Sequence, residues 1–254
     1  MPLSLLAGED LLALLARRAA AATFAYVVTP NVDHVVRACR EGEGIRTLYA
    51  QAWLSVCDSQ ILRRLAGTAG VEMPLNTGSD LTRALFERVL VPGDRITVIG
   101  CAATTIDILR ERYPGIEIAH YNPPMGFIGN EAEVARVVEF VVSHPARFVF
   151  LAVGSPRQEI VAYRVHQHGG ATGIGLCIGN ALNFLAFPDS RSPRWISRVH
   201  LEWLHRLCLD PGRLWRRYLV DNPVIFLLFL KAFLAGRAIE QRVDPSGATR
   251  RSGD

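Results

Sequence analysis

One acid, Asp58, ends an apolar run that contains Trp53, Leu54, Val56 and Cys57. A carboxylate at the rim of such a run is partly desolvated, which raises its pKa toward a value useful to a general base. The same residue type also caps helices, and a helix-like stretch through Ile61, Leu62 and Leu65 follows it, so both roles stay open. Two other polar clusters share this setting between an apolar run and a helical pattern: Thr29-Pro30-Asn31 and Gly154-Ser155-Pro156-Arg157-Gln158-Glu159. Thr29 and Asn31 face the same choice between cap or turn and ligand contact. In the longer cluster glycine permits close backbone approach, Ser155 can cap, and Pro156 fits a first helical turn. Gln158 and Glu159 are then expected to project from that turn toward a cleft. In open α/β sheets this junction is where ligands bind, because strand ends splay apart and the next helix offers unpaired N–H groups. The pattern is that of an enzyme with one cleft.

Metal and dinucleotide chemistry find little support. The five cysteines (Cys39, Cys57, Cys101, Cys177, Cys208) are scattered without a CxxC pair. His34 follows the first cluster, and His166 and His168 sit on a helix end, so all three read as solvated or capping residues. Asp189 and Asp210 are isolated, so a mechanism without metal is the simpler reading. The turn at Gly100 lacks the full GxGxxG fingerprint, and Glu117 lies inside the following strand rather than closing it. No cofactor and no nucleic-acid partner is called for.

The elements that must position these residues alternate. A helix over 9–21 leads into a strand over 24–28 and a helix through Val35, Val36 and Cys39. A strand ending at Cys57 precedes the helix through Leu62. Thr77-Gly78-Ser79-Asp80 opens a helix through Leu81, Leu85 and Val89. Strand 95–99, helix 103–113, strand 116–119, helix 130–143, strand 148–153, a helix beginning near Pro156 and strand 172–178 complete the series. Such alternation specifies an α/β fold, a Rossmann-like, mostly parallel sheet with helices on both faces.

Half of the 254 residues are apolar and a fifth are charged, the balance of a globular chain. Lys231 is the single lysine, so the basic side is arginine, suited to bidentate phosphate contact. Beyond Pro188 the character changes. Arg191, Arg194, Arg198, Arg206, Arg213, Arg216 and Arg217 interleave with Trp195, Trp203, Trp215 and Tyr218, and an apolar run follows from Val224 to Leu234. One reading is an interfacial helix on anionic lipid; the other is a pair of surface helices whose aromatics pack on the sheet. The apolar run is too short for the roughly 20 residues of a spanning helix. Residues 1–188 are therefore expected to form the core, 189–241 a basic, Trp-rich, membrane-associating helical appendage and 242–254 a disordered tail. With no convincing signal peptide, a cytoplasmic location is expected.

These clusters in this order resemble the WecG/TagA/CpsF family of bacterial glycosyltransferases. The likeness runs from Phe24 to Leu219. It takes in Thr29-Pro30-Asn31, Asp58, Thr77-Gly78-Ser79-Asp80-Leu81, Tyr113-Pro114-Gly115, Pro124 through Phe127, Gly154 through Glu159, Gly179, Arg191 with Pro193, and Leu201-Glu202-Trp203-Leu204 followed by Arg206. The resemblance implies inverting, metal-free transfer from a UDP-sugar to a polyprenyl-diphosphate-linked glycan on the cytoplasmic membrane face, in teichoic acid, enterobacterial common antigen or exopolysaccharide assembly. It implies Asp58 as the base, with Thr29 and Asn31 beside it. Thr77, Gly78, Ser79, Asp80, Gly100, Gly154, Pro156, Gln158, Glu159, Gly179 and Asn183 would contact substrate, with Arg191, Arg206, Arg213, Arg216 and Arg217 completing the site. Two positions depart from the family pattern: the usual Pro-Asp-Gly is Cys57-Asp58-Ser59, and the usual Gly-Gly-x-x-Asp reads Gly179-Asn180-Ala181-Leu182-Asn183. A nucleotide-cofactor oxidoreductase and a non-enzymatic lipid-binding scaffold are the rival readings, and self-association is left open.

Overall fold

A computed structural model describes residues 1–188, 207, 211–234 and 241–242. Its centre is a six-stranded sheet in the order β3-β2-β7-β6-β4-β5, formed by β2 (Ala25–Val28), β3 (Leu54–Ser55), β4 (Arg95–Gly100), β5 (Glu117–Tyr121), β6 (Phe148–Ala152) and β7 (Ile174–Cys177). All of its strand pairs are parallel. Because both faces are covered, the central strands are apolar at nearly every position; Phe148, Val149, Phe150 and Leu151 are all buried. A separate two-residue strand, β1 (Leu3–Ser4), pairs in parallel with β8 (Gln241–Arg242).

Helices α1 (Gly8–Arg17), α5 (Gly78–Arg88), α6 (Ala103–Arg112) and α9 (Ala181–Ala186) cover one face, packing Leu11, Leu85, Ile106 and Leu182 onto the sheet. The other face is covered by α3 (Glu43–Ala50), α7 (Glu131–Ser143) and α8 (Arg157–His168), through Tyr49, Val137 and Val161. Beyond these two layers, α2 (Val32–Arg40) and α4 (Gln60–Thr68) share a smaller cluster of Val32, Val36, Cys57, Leu62 and Ala66. Two further helices follow, α10 (Pro211–Arg216) and, after a π-helical turn at Arg217–Asp221, α11 (Val224–Leu234). α11 seats Ile225 in that smaller cluster, and Arg40 pairs with Asp221 beside it.

Several expected boundaries move, each for a local reason. The first helix stops at Arg17, whose successor Arg18 is already extended at φ −69°, ψ 127°. β5 runs on to Tyr121 because His120 and Tyr121 find partners in Val98 and Ile99. Thr172 stays outside β7, in an isolated antiparallel bridge to Thr23. Helices α3 and α9 carry too short a periodic pattern to be anticipated. At Gly173, φ is +84° and a Cβ would lie 2.1 Å from the Ala146 carbonyl oxygen, so only glycine fits the entry to β7.

Candidate active site

The polar clusters gather because each follows a strand of one parallel sheet. Thr29 follows β2, Asp58 lies just past β3, Gly100 ends β4, Gly154 comes after β6 and Gly179 after β7. All therefore stand at the carboxyl edge, where α2, α4, α8 and α9 begin. Hydrogen bonds lace the turns together. The Asp58 N–H donates to the Pro30 carbonyl at 2.9 Å, and the Asn76 N–H to the Cys57 carbonyl at 2.9 Å, bringing the Thr77 turn alongside. A Cβ on Gly78 would stand 3.4 Å from both Thr29 Oγ1 and the Ile178 oxygen, an ordinary van der Waals distance, so that motif lies against the Thr29 turn.

The choice between cap and ligand contact resolves differently at each residue. Ser59, not Asp58, caps α4, its Oγ accepting from the Leu62 N–H at 3.3 Å. The serine standing where the family usually has glycine thus takes the capping role, and Asp58 is left half-buried at the rim. Cys57 beneath it is buried, which pushes its thiol up to about 11, so it stays a neutral packing residue. Asn31 does cap, accepting from the Asp33 N–H at 3.0 Å, and Thr29 donates its hydroxyl to the Cys177 carbonyl at 3.0 Å. Both therefore shape the turn after β2. Thr77 caps α5: it accepts from the Asp80 N–H at 3.0 Å and donates to the Asp80 carboxylate at 2.7 Å. Ser79 follows in the first turn of α5.

Gln158 and Glu159 correct the expectation that they project into the cleft: they are only 3% and 1% exposed. α8 begins at Arg157, near Pro156 as expected, with Pro156 as its N-cap after a cis peptide bond. The first helical turn then faces inward, against α2 and α3. The Gln158 amide donates to Glu159 Oε1 at 2.9 Å, and its oxygen accepts the Gly179 N–H at 2.8 Å. Burial raises the pKa of the Glu159 carboxyl above its ordinary value.

Gly100, at φ +94°, has the Ala152 carbonyl 2.9 Å from where a Cβ would be, so close approach of β4 to β6 already accounts for its glycine. Asn183 accepts from the Thr105 hydroxyl at 2.7 Å and donates to Asn180, linking α6 to α9. Arg191 and Arg206 lie outside the described residues; Arg213 and Arg216 fall in α10 and Arg217 in the turn after it.

Two residues beneath the cleft, Arg37 and Tyr49, escape the sequence reading, while His34 takes the capping role already open to it. Arg37 donates to the Ser155 hydroxyl at 2.9 Å and to Asp33 at 2.5 Å, tying α2 to the Gly154 turn. His34 is buried and accepts the Asn31 N–H on Nδ1 at 2.8 Å, closing a capping box that an acceptor three residues after an Asn cap could have signalled. Tyr49 is buried beside His34, and burial pushes its phenol far up. Nothing in the spacing around Tyr49 marks it.

Among the described residues, no three His, Cys, Asp or Glu side chains gather to hold a metal ion, and no helix is long and apolar enough to cross a membrane. The sequence profile of the glycosyl transferase WecG/TagA/CpsF family matches residues 1–239. The chain belongs to that family. Similar curated proteins include those of Bacillus spizizenii (strain ATCC 23059 / NRRL B-14472 / W23), 31% identical over 146 residues, and Bacillus subtilis (strain 168), 34% over 147. A Staphylococcus aureus (strain NCTC 8325 / PS 47) protein is 27% identical over 124 residues. Each is named N-acetylglucosaminyldiphosphoundecaprenol N-acetyl-beta-D-mannosaminyltransferase. These alignments cover 56%, 57% and 49% of this chain and 54%, 52% and 46% of the relatives, so the chain spans about half the length of the curated relatives it matches.

Proposed function

We propose that this family member is an inverting, metal-independent glycosyltransferase that moves a sugar, of the hexose or N-acetylhexosamine type, from a UDP-sugar to a polyprenyl-diphosphate-linked saccharide. The work would be done at the inner face of the cell membrane, in exopolysaccharide or cell-surface glycan synthesis. Asp58 carries the reading. It stands half-buried at the carboxyl edge of the sheet, next to the Ser59 that caps α4 and joined through its N–H to Pro30. Acting as base, its carboxylate takes the acceptor hydroxyl proton as that oxygen attacks the anomeric carbon, while the bond to the UDP oxygen breaks. Arg206, Arg213 and Arg216 or Arg217 then neutralise the departing diphosphate, an electrostatic role that a metal fills elsewhere.

The relatives' name specifies a diphosphate-linked N-acetylglucosamine acceptor on undecaprenol and a β-linked product. A β product from an α-linked nucleotide sugar requires net inversion at the anomeric carbon, which one direct displacement supplies. The lipid part of the acceptor has a matching surface in α11, where Phe226, Leu227, Leu230, Phe233 and Leu234 are exposed. The same helix packs on α2 and seats Ile225 in the cluster that also holds Val36, Leu62 and Cys57, the neighbour of Asp58, so lipid held on α11 would bring its head group to the side of the molecule that carries the base.

That apolar face alone would also suit a non-enzymatic lipid-binding scaffold. Transfer assays with UDP-sugars and a lipid-diphosphate-N-acetylglucosamine acceptor separate the two. We expect turnover, and we expect it to persist unchanged in EDTA. Strict dependence on added Mg²⁺ or Mn²⁺ would remove the metal-free mechanism, and absence of transfer with every sugar nucleotide would favour the scaffold.

A further inference from the structure

We propose that Glu159 is a positioning residue that holds the two walls of the cleft in one register, by joining the turn after β7 to the turn after β2. The join is a chain of contacts. The Gly179 N–H, at the turn into α9, donates to the Gln158 side-chain oxygen at 2.8 Å. The nitrogen of that same amide donates to Glu159 Oε1 at 2.9 Å. His34 Nε2 faces this Oε1 across 3.9 Å, an electrostatic contact longer than a hydrogen bond, and His34 Nδ1 accepts the Asn31 N–H at 2.8 Å.

Each contact constrains the next. An amide can accept through oxygen and donate through nitrogen, but not the reverse, so the Glu159 acceptor fixes which end of Gln158 meets Gly179. Because His34 Nδ1 is an acceptor, the ring hydrogen is on Nε2, the atom turned toward Glu159. Arg37 and Ser155 flank the carboxyl, and Tyr49 and Cys177 close it in from α3 and β7. Water is thereby excluded from a carboxyl that is 1% exposed, and inside such an enclosure an unmatched donor is costly. Glu159 thus acts through Gln158 and His34 and touches no substrate. Its consequence for donor binding rests on the reading of these turns as walls of the substrate cleft.

The test compares Glu159→Gln, which keeps an oxygen acceptor, with Glu159→Leu, which keeps bulk but has none. Residue-resolved amide hydrogen exchange on the full chain should show Gly179 and Asn31 exchanging about tenfold faster or more in Glu159→Leu, with β4 and β6 at wild-type rates. Glu159→Gln should match wild type. UDP affinity should fall about tenfold in the leucine variant and recover in the glutamine variant. Wild-type exchange at both amides in Glu159→Leu overturns the proposal, as does a glutamine variant that exchanges as fast as the leucine one. If Glu159→Leu does not fold, Gln158→Met removes the middle of the chain and must speed exchange at Gly179 for the proposal to stand. A wild-type protein that fails to bind UDP would count against the donor assignment, while the exchange rates would still decide this one.

Discussion

Asp58→Asn is expected to leave the fold and UDP affinity as they are while lowering turnover by about 10² to 10⁴, the range for loss of a positioned general base. The fold is expected to survive because Ser59 supplies the α4 cap, and the backbone bond from residue 58 to Pro30 uses the N–H rather than the side chain. An amide is close in size to a carboxylate but cannot take up the acceptor proton. The effect should therefore fall on kcat, with KM for the nucleotide sugar little changed. Turnover within a few-fold of wild type would remove Asp58 from the mechanism.

The second large effect concerns the membrane. Phe226 and Leu230 lie one helical turn apart on α11, and both are more than half exposed. Replacing both with glutamate should weaken binding to anionic vesicles by about 10²-fold or more, since burial of each such side chain is worth about 1.5–3 kcal/mol. Transfer to a short-chain, water-soluble acceptor should continue at the wild-type rate, because Ile225, which seats α11 in the cluster with Val36 and Leu62, is untouched. Added salt should weaken vesicle binding by the intact protein, as the arginines of this segment act through a screened field. Vesicle binding unaffected by the double substitution would move the lipid contact elsewhere.

What the sequence made legible follows from what periodicity can encode. Strands buried on both faces read as apolar runs, and the turns after them had to share one edge once the sheet was parallel. The turns at Thr29, Asp58, Gly154 and Gly179 could therefore be brought together before any coordinates. The direction in which α8 presents its first turn was not legible, because it depends on how that helix is rotated against α2 and α3. The same sequence Gln158-Glu159 would read identically had it faced the cleft. The cap at Asp58-Ser59 was ambiguous for a similar reason: adjacent residues of capping type differ only in which one adopts the extended backbone, and Ser59 does, at φ −154°. The fate of Asn183 depended on Thr105, a partner nearly eighty positions away. Arg191 and Arg206 lie outside the described residues, so their expected part in the site rests on the sequence.

The central claim is a single displacement at the anomeric carbon assisted by Asp58, and the stereochemistry of the product tests it most directly. Wild-type protein would be incubated with α-linked UDP-N-acetylmannosamine and other UDP-sugars, together with a soluble lipid-diphosphate-N-acetylglucosamine. The anomeric configuration of the new linkage would be read by NMR. A β-linked product, formed at a rate that collapses in Asp58→Asn, is the predicted result; an α-linked product, or a β-linked one formed equally fast without the Asp58 carboxylate, would contradict it.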